Sequence, residues 1–299
     1  MIIKTNISII GAGLMGHGLA QVFAFAGHRV KVYDAHQIAL DSLHDRIVVN
    51  LKSLGQDVNS SANIEVFSSL EDAVKDADFV FEAAPEKLEI KRAIFADLVK
   101  HAPKNAVLAS NTSAMPITGI GENLPTNDRI LGTHWWNPPF LVPLVEVVSP
   151  HFTDQVNVEK MMSLLSSVGK SPVHIKKDVV GFVGNRLQMA LWREAIAIVE
   201  DGIADAETVD TVVKQSFGRR LAVLGPLENA DLIGTDLTLD IHNTILKDLS
   251  RATEPSKYLK MLVADGRLGM KSGEGFKSWS KDQAQRLRNT LFDHLKNFK

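Results

Sequence analysis

The chain has 299 residues, of which 45% are apolar and 23% charged, and its 33 Lys and Arg against 35 Asp and Glu leave a formal charge of −2. This is too hydrophobic for a disordered chain, and the balanced charge gives no global field for nucleic acid. With no cysteine present, disulfides, thiolate catalysis and cysteine-ligated zinc are excluded. The imbalance of charge is local, with eleven Lys and Arg against five Asp and Glu in residues 251–299. The opening Met1-Ile-Ile-Lys carries no apolar signal core. No apolar run approaches the roughly 18 residues of a membrane span. These features predict a soluble, cytoplasmic protein of about two domains.

Residues 5–10 read as a buried strand ending at Gly11, and apolar residues at helical spacing run from Leu14 to Ala26, closed by Gly27. Arg29–Tyr33 is the next strand, followed by one polar-faced helix over roughly 37–54. Further strands are predicted near 63–67, 78–83, 106–110, 129–134 and 144–148, with a helix over 87–100. That alternation predicts a mostly parallel sheet covered on both faces. From Phe182 onward the pattern is helical, ending in an amphipathic tail helix over 281–299 with Leu287, Leu291, Leu295 and Phe298 on one stripe. The expected architecture is an α/β Rossmann-type doubly wound sheet over residues 1–178, followed by an all-α domain over 179–299.

Gly11-Ala-Gly13-Leu14-Met15-Gly16 is a G-x-G-x-x-G turn with a strand before it and a helix after it. The glycines allow a tight turn, close approach of a pyrophosphate and close helix–strand packing, while the helix N-terminus offers N–H groups to the phosphates. Asp34 ends the second strand, where a carboxylate accepts hydrogen bonds from the adenine ribose. It is followed by Ala35 with no adjacent arginine, so NAD is expected rather than NADP.

Of the ten histidines, His134 stands apart. It ends a strand and leads into Trp135-Trp136-Asn137-Pro138-Pro139, at the strand end where open α/β sheets bind ligands. Glu146 lies among aliphatics in Leu144-Val-Glu-Val-Val148, where a carboxylate needs a partner. A glutamate that orients a histidine serves metal-free alcohol dehydrogenation, in which the imidazole takes the hydroxyl proton. A structural His–Glu bond between two strands is the other reading. Neither residue has neighbours at metal-ligand spacing, so no metal is expected. Ser113 in Ala109-Ser-Asn-Thr-Ser113 and Asn185 in Gly181-Phe-Val-Gly-Asn185 are candidates to hydrogen-bond a substrate oxygen. A turn or N-cap role is open for Ser113, and a helix-start contact for Asn185. Trp135 and Trp136 suit either a pocket wall or the core.

In this order the segments resemble the L-3-hydroxyacyl-CoA dehydrogenase family. The similarity runs through the glycine turn, Glu82-Ala-Ala84-Pro-Glu86, Ser110-Asn111-Thr-Ser113, His134-x-x-Asn137-Pro, Leu144-Val-Glu146, Gly181–Arg186, Gly225-Pro226 and Leu268–Phe276. The resemblance implies NAD as cofactor, His134 as acid/base, Glu146 as its orienting partner, and Ser113 and Asn185 at the substrate. It further implies Ala84, Glu86, Lys91, Asn111, Ser113, Asn137 and Lys271 on the cofactor side, a homodimer formed through the helical domain, and a place in fatty acid metabolism.

Two departures bear on the substrate. Members that use CoA carry a longer, lysine-bearing helical hairpin after the second strand, whereas residues 34–65 here hold one expected helix with Arg46 and Lys52 as its cations. Arg219 and Arg220 stand before Gly225-Pro226, where a guanidinium can pair with a free carboxylate. The resemblance therefore implies a 3-hydroxyacyl-CoA substrate, with a compact free hydroxy acid or other carboxylate held by Arg219 or Arg220 as the alternative. The segment around His134 is similar to that of dehydrogenases acting on gulonate, carnitine and a pyridine carboxylate. A protein that only binds NAD is the non-enzymatic alternative, for which a His–Glu pair has no use.

Overall fold

The computed structural model describes residues 4–298. The opening Met1–Ile3 and the final Lys299 of the expected tail helix lie outside the described residues. By contacts the chain divides into two compact units. One runs to Asn185 and takes back the chain end from Leu295, and the other is Arg186–His294.

The first unit carries eight strands: β1 (Asn6–Ile10), β2 (Arg29–Tyr33), β3 (Ile64–Phe67), β4 (Phe79–Glu82), β5 (Val107–Ser110), β6 (Ile130–Trp135), β7 (Leu144–Val148) and β8 (Ser171–Ile175). They form one sheet in the order β3-β2-β1-β4-β5-β6-β7-β8. β1 to β6 pair in parallel, β7 reverses against β6, and β8 runs with β7. The helices are α1 (Leu14–Phe25), α2 (Gln37–Asp41), α3 (Leu43–Leu54), α4 (Leu70–Val74), α5 (Leu88–His101), α6 (Ile117–Gly121) and α7 (Gln155–Ser167). Strand alternation sends Ile7, Ile9 and Phe81 to one core with Leu19 and Phe23 of α1, Ile47 of α3 and Leu165 of α7. Ile10, Val80 and Leu108 go to the other core, with Phe95 and Leu98 of α5 and Ile120 of α6. Both faces are thus covered, as the strand–helix alternation predicts.

Two expectations are corrected. The single helix over 37–54 is broken at Ser42. The Ser42 hydroxyl bonds back to the Ile38 carbonyl at 3.1 Å, and the Ser42 carbonyl accepts from Arg46 Nε. Such back-bonding bends helices, and the Ser42 backbone, at φ −88° and ψ −4°, leaves the regular helical range there. The sheet also has an eighth strand, β8, which was not foreseen. Its Ser-Pro-Val-His-Ile lies at the sheet edge, the position where a strand tolerates proline.

The second unit consists of most of α8 (Gly184–Glu200), with α9 (Ala206–Gln215), α10 (Pro226–Ile233), α11 (Thr235–Ile245), α12 (Lys257–Ala264) and most of α13 (Lys281–Asn297). Its only buried apolar side chains among the described residues are Leu262 and Ala284. Leu187, Leu191 and Trp192 of α8 and Leu237 and Ile241 of α11 are exposed. An apolar groove of about 640 Å³ runs between α8, α9, α12 and the Leu268–Trp279 segment. No helix among the described residues is long and apolar enough to cross a membrane.

Candidate active site

The loops after β1, β2, β4, β5 and β6 all leave the same edge of the sheet, because those strands are parallel. The first of them is the glycine turn. Gly11 has φ +109°, a conformation available to glycine, and a Cβ on it would lie 2.6 Å from the Ala83 carbonyl oxygen. A Cβ on Gly16 would lie 1.7 Å from the Gly11 carbonyl oxygen, whereas one on Gly13 would meet nothing within 4 Å. Gly13 is the N-cap of α1, with no side-chain cap and no acidic residue in the first turn. The first N–H groups of this 12-residue helix are therefore left for an anion. Asp34 is fixed by accepting from the Ala12 N–H at 2.7 Å and the His36 N–H at 2.8 Å. An open, uncapped glycine turn beside an anchored carboxylate fits a dinucleotide.

The loops after β4 and β5 share a buried polar network. Glu82, with no exposed surface, accepts from Lys91 Nζ at 2.8 Å, Ser110 Oγ at 2.6 Å and the Ala84 N–H at 2.7 Å. Lys91 is equally buried and also reaches Glu86 Oε2 at 3.3 Å. Glu86 Oε1 in turn accepts from Thr112 Oγ1 at 2.5 Å and the Ser113 N–H at 3.0 Å. Burial pushes the Glu86 carboxyl up, but Thr112, Lys91 and the Ser113 amide outweigh it and hold it below the usual range. Thr112 also takes the Met115 N–H at 3.0 Å. The turn role weighed for Ser113 thus falls to Thr112, and the exposed Ser113 hydroxyl makes none of the described hydrogen bonds.

β6 and β7 supply the remaining pair. Their antiparallel register sets His134 directly opposite Glu146, and His134 Nδ1 meets Glu146 Oε2 at 2.7 Å with both side chains buried. The other carboxylate oxygen accepts from the Val183 and Gly184 N–H groups at 2.9 and 3.0 Å. Burial pushes Glu146 up, and the His134 hydrogen bond with the two amides more than offsets it, so the carboxyl lies below the usual range. With Nδ1 assigned as donor to the carboxylate, Nε2 of the neutral ring carries the lone pair. Trp136 and Phe182 flank the imidazole at 5.1 and 5.7 Å between ring centres. Gly184 has to be small, since a Cβ there would lie 2.4 Å from Trp136 Cζ2. Trp135 points the other way, into the core against Phe23 and Phe81.

Asn185 Nδ2 donates to the Ser113 carbonyl at 2.6 Å. One connected chain of contacts therefore joins His134, Glu146, the 183–185 backbone, Asn185, Ser113, Glu86, Lys91 and Glu82. Asn111 Oδ1 accepts from the Trp135 N–H at 3.1 Å, and Asn137 is exposed on the loop after β6. Arg219 and Arg220 are exposed in the second unit, where Arg219 contacts Gln215, and Lys271 lines the groove of that unit. Residues not singled out from sequence include Thr112, Ser110, Phe182 and Gly184. Ser110 and Thr112 flank Asn111 in the hydroxyl-rich run, which was the one signal available for them.

Lys170 is a neighbouring oddity. Its ammonium donates to the Pro139 and Val142 carbonyls at 2.5 and 3.0 Å, lies 5.5 Å from the Trp135 ring centre, and forms no ion pair among the described residues. Burial pushes it down to about 8 from 10.5. A cation depressed in this way costs stability below about pH 8, and the cost is relieved as pH climbs towards 10.5. At about 1.4 kcal/mol per pH unit the relief is about 3 kcal/mol. Urea unfolding at pH 7 and 10 should shift the stability of wild type relative to Lys170→Met by most of that amount, about 2.5 kcal/mol, in favour of wild type. An unchanged difference would refute the depressed value.

Comparison with known proteins gives two family matches. Residues 6–179 match the NAD binding domain of 3-hydroxyacyl-CoA dehydrogenase, and residues 181–279 match its C-terminal domain. The 5-formyl-3-hydroxy-2-methylpyridine 4-carboxylate 5-dehydrogenase of Mesorhizobium japonicum is 34% identical over 288 residues, covering 95% of this chain and 93% of that protein. A crystal structure of an enzyme of that name, described as an NAD+-dependent dismutase, superposes with a TM-score of 0.91 at 32% identity, covering 98% of this chain and 97% of the other. The (S)-3-hydroxybutyryl-CoA dehydrogenase of Ralstonia eutropha superposes with a TM-score of 0.76 at 30% identity, covering 93% of this chain and 100% of the other.

Proposed function

Because the chain belongs to the 3-hydroxyacyl-CoA dehydrogenase family, and so is an NAD-dependent oxidoreductase acting on CH–OH groups, we propose that His134 is its acid/base and that its substrate is a compact carboxylate. The hydrogen-bonded His134–Glu146 pair carries this reading. The substrate hydroxyl gives its proton to His134 Nε2 as the carbinol carbon becomes a carbonyl. NAD, when bound, accepts the hydride from that carbon. Glu146 cannot turn away from the ring, because its second oxygen is held by two backbone amides. It fixes the tautomer and stabilises the imidazolium that forms. The Ser113 hydroxyl and the free part of the Asn185 amide hold the substrate oxygen as charge develops on it. Lys91, fully buried, acts on the cofactor side through Glu86.

The compact substrate is favoured because residues 37–54 form only the α2–α3 pair, whose Arg46 is committed to backbone carbonyls. So few free cations give the phosphates of CoA a poor grip. At nearly equal identity, backbone agreement is also higher with the pyridine-carboxylate enzyme than with the 3-hydroxybutyryl-CoA enzyme. Arg219 and Arg220 are the proposed carboxylate anchors. A CoA thioester is the second reading, favoured by the family's description itself. The test is NADH oxidation with acetoacetate, acetoacetyl-CoA and a formyl-substituted aromatic carboxylate in parallel. Turnover of free acids alone is expected, and efficient turnover of the thioester alone would overturn the compact-substrate reading.

The functional molecule is proposed to be a homodimer in which a second copy covers the apolar α8 and α11 surfaces. Sedimentation should give twice the chain mass, and Trp192→Asp should shift it towards one. Monomeric wild type at micromolar concentration would reject the dimer.

A further inference from the structure

α3 has an unexpected connection to the glycine turn. The Arg46 guanidinium donates to the Ala12 carbonyl at 2.7 Å, the Gly13 carbonyl at 3.3 Å, the Ala39 carbonyl at 2.9 Å and, through Nε, the Ser42 carbonyl at 3.3 Å. Four of its five N–H donors are thus spent on backbone, two of them on the turn. The Gly13 carbonyl also receives His17 Nδ1 at 3.0 Å, and His17 Nε2 meets Asn50 Nδ2 at 3.3 Å. Asn50 in turn reaches Gln21 at 3.1 Å. Arg46 and Asn50 are one helical turn apart on α3, and His17 and Gln21 are one turn apart on α1, so the two helices meet through a polar bracket behind the turn. Burial and the nearby Arg46 lower the affinity of His17 for a proton, which suits a neutral ring beside a guanidinium.

We infer that Arg46, with His17 and Asn50 behind it, positions the glycine turn for the pyrophosphate of the dinucleotide. A trans peptide unit is planar, with its N–H opposite its C=O. Pulling the Ala12 and Gly13 carbonyls towards α3 therefore turns the Gly13 and Leu14 N–H groups away from α3. Those are the first donors at the uncapped N-terminus of α1, beside the open space in front of Gly13. The fixed positive charge also adds to the helix-terminal potential felt by a phosphate there. Arg46 thereby serves the cofactor rather than the substrate. This inference rests on the cofactor reading but not on the choice of substrate.

The test is calorimetric titration of wild type, Arg46→Ala, Arg46→Lys and Asn50→Ala with NAD+, ADP-ribose and adenosine, with melting temperatures alongside. Arg46→Ala should weaken NAD+ and ADP-ribose about tenfold, an effect of about 1.4 kcal/mol. Adenosine, which lacks the pyrophosphate, should bind as before. Arg46→Lys, with no planar fork, should recover only part of the loss, and Asn50→Ala should show a smaller one. Unchanged NAD+ affinity in Arg46→Ala would overturn the inference, whether the melting temperature falls or not. So would a raised KM for acetoacetyl-CoA with NAD+ affinity intact, which would assign the guanidinium to an acyl carrier. Failure of the wild type to bind NAD+ at all would remove the cofactor reading, and this inference with it.

Discussion

His134→Ala should lower kcat by about three orders of magnitude, within the range for removing a positioned general base, while NAD+ affinity stays within about twofold. The imidazole lies on β6 and none of its described contacts is with the glycine turn or Asp34, so cofactor binding has no reason to follow turnover. Glu146→Gln is the companion. It keeps the volume but leaves the two amides of Val183 and Gly184 and the Nδ1–H of His134 competing for a neutral amide, so kcat should fall by about two orders of magnitude. The carboxyl of Glu146 is held below its ordinary 4.5. Its contribution to stability is therefore complete above that value and is lost as pH falls through the lower folded value. Acid unfolding of Glu146→Gln should accordingly be the less steep below pH 4.5. Wild-type turnover in His134→Ala would dismiss the histidine as the base.

The second large effect lies at Gly16. An alanine there would place its Cβ 1.7 Å from the Gly11 carbonyl oxygen, about half of a normal contact distance, and the obstacle is backbone rather than a flexible side chain. α1 and the turn have to separate, which misaligns the N–H groups offered to the phosphates. NAD+ should bind Gly16→Ala at least about 100-fold more weakly, about 2.7 kcal/mol. Gly13→Ala is the control for backbone geometry, because its Cβ meets no protein atom within 4 Å. Its loss of affinity would come from encroaching on the ligand alone, with the melting temperature unchanged. Retention of NAD+ affinity within tenfold in Gly16→Ala would show that the turn is more yielding than its packing implies.

The strand–turn–helix at the start of the chain was legible because its glycines and apolar residues carry their reasons locally. His134 and Glu146 were legible for a different reason: a carboxylate among aliphatics announces a partner. The same rule applies to Glu82 at the end of Phe-Val-Phe-Glu, which appeared only as part of a motif. Its partners, Lys91 on α5 and Ser110 on β5, are brought to it by tertiary structure. The commitment of Arg46 to the glycine turn is not legible in sequence, since nothing in its neighbours along the chain reveals carbonyls more than thirty residues away. The break at Ser42 is a departure of one residue's backbone from helical angles, and helical periodicity runs through it undisturbed. β8 is not legible because its alternation mixes Ser and His with Val and Ile around a proline, a pattern equally at home in a loop.

The reversal of β7 has a consequence for how the site loosens. His134 and Glu146 are only twelve positions apart and are joined by one tight connection, so their meeting costs little chain entropy. The Ser113–Asn185 contact closes a loop of 72 positions, and both residues are at least partly accessible to water. Local opening strikes such long-range, solvent-accessible contacts first. Under mild denaturant the Ser113–Asn185 contact should therefore loosen before the His134–Glu146 hydrogen bond, so that kcat falls while that pair persists.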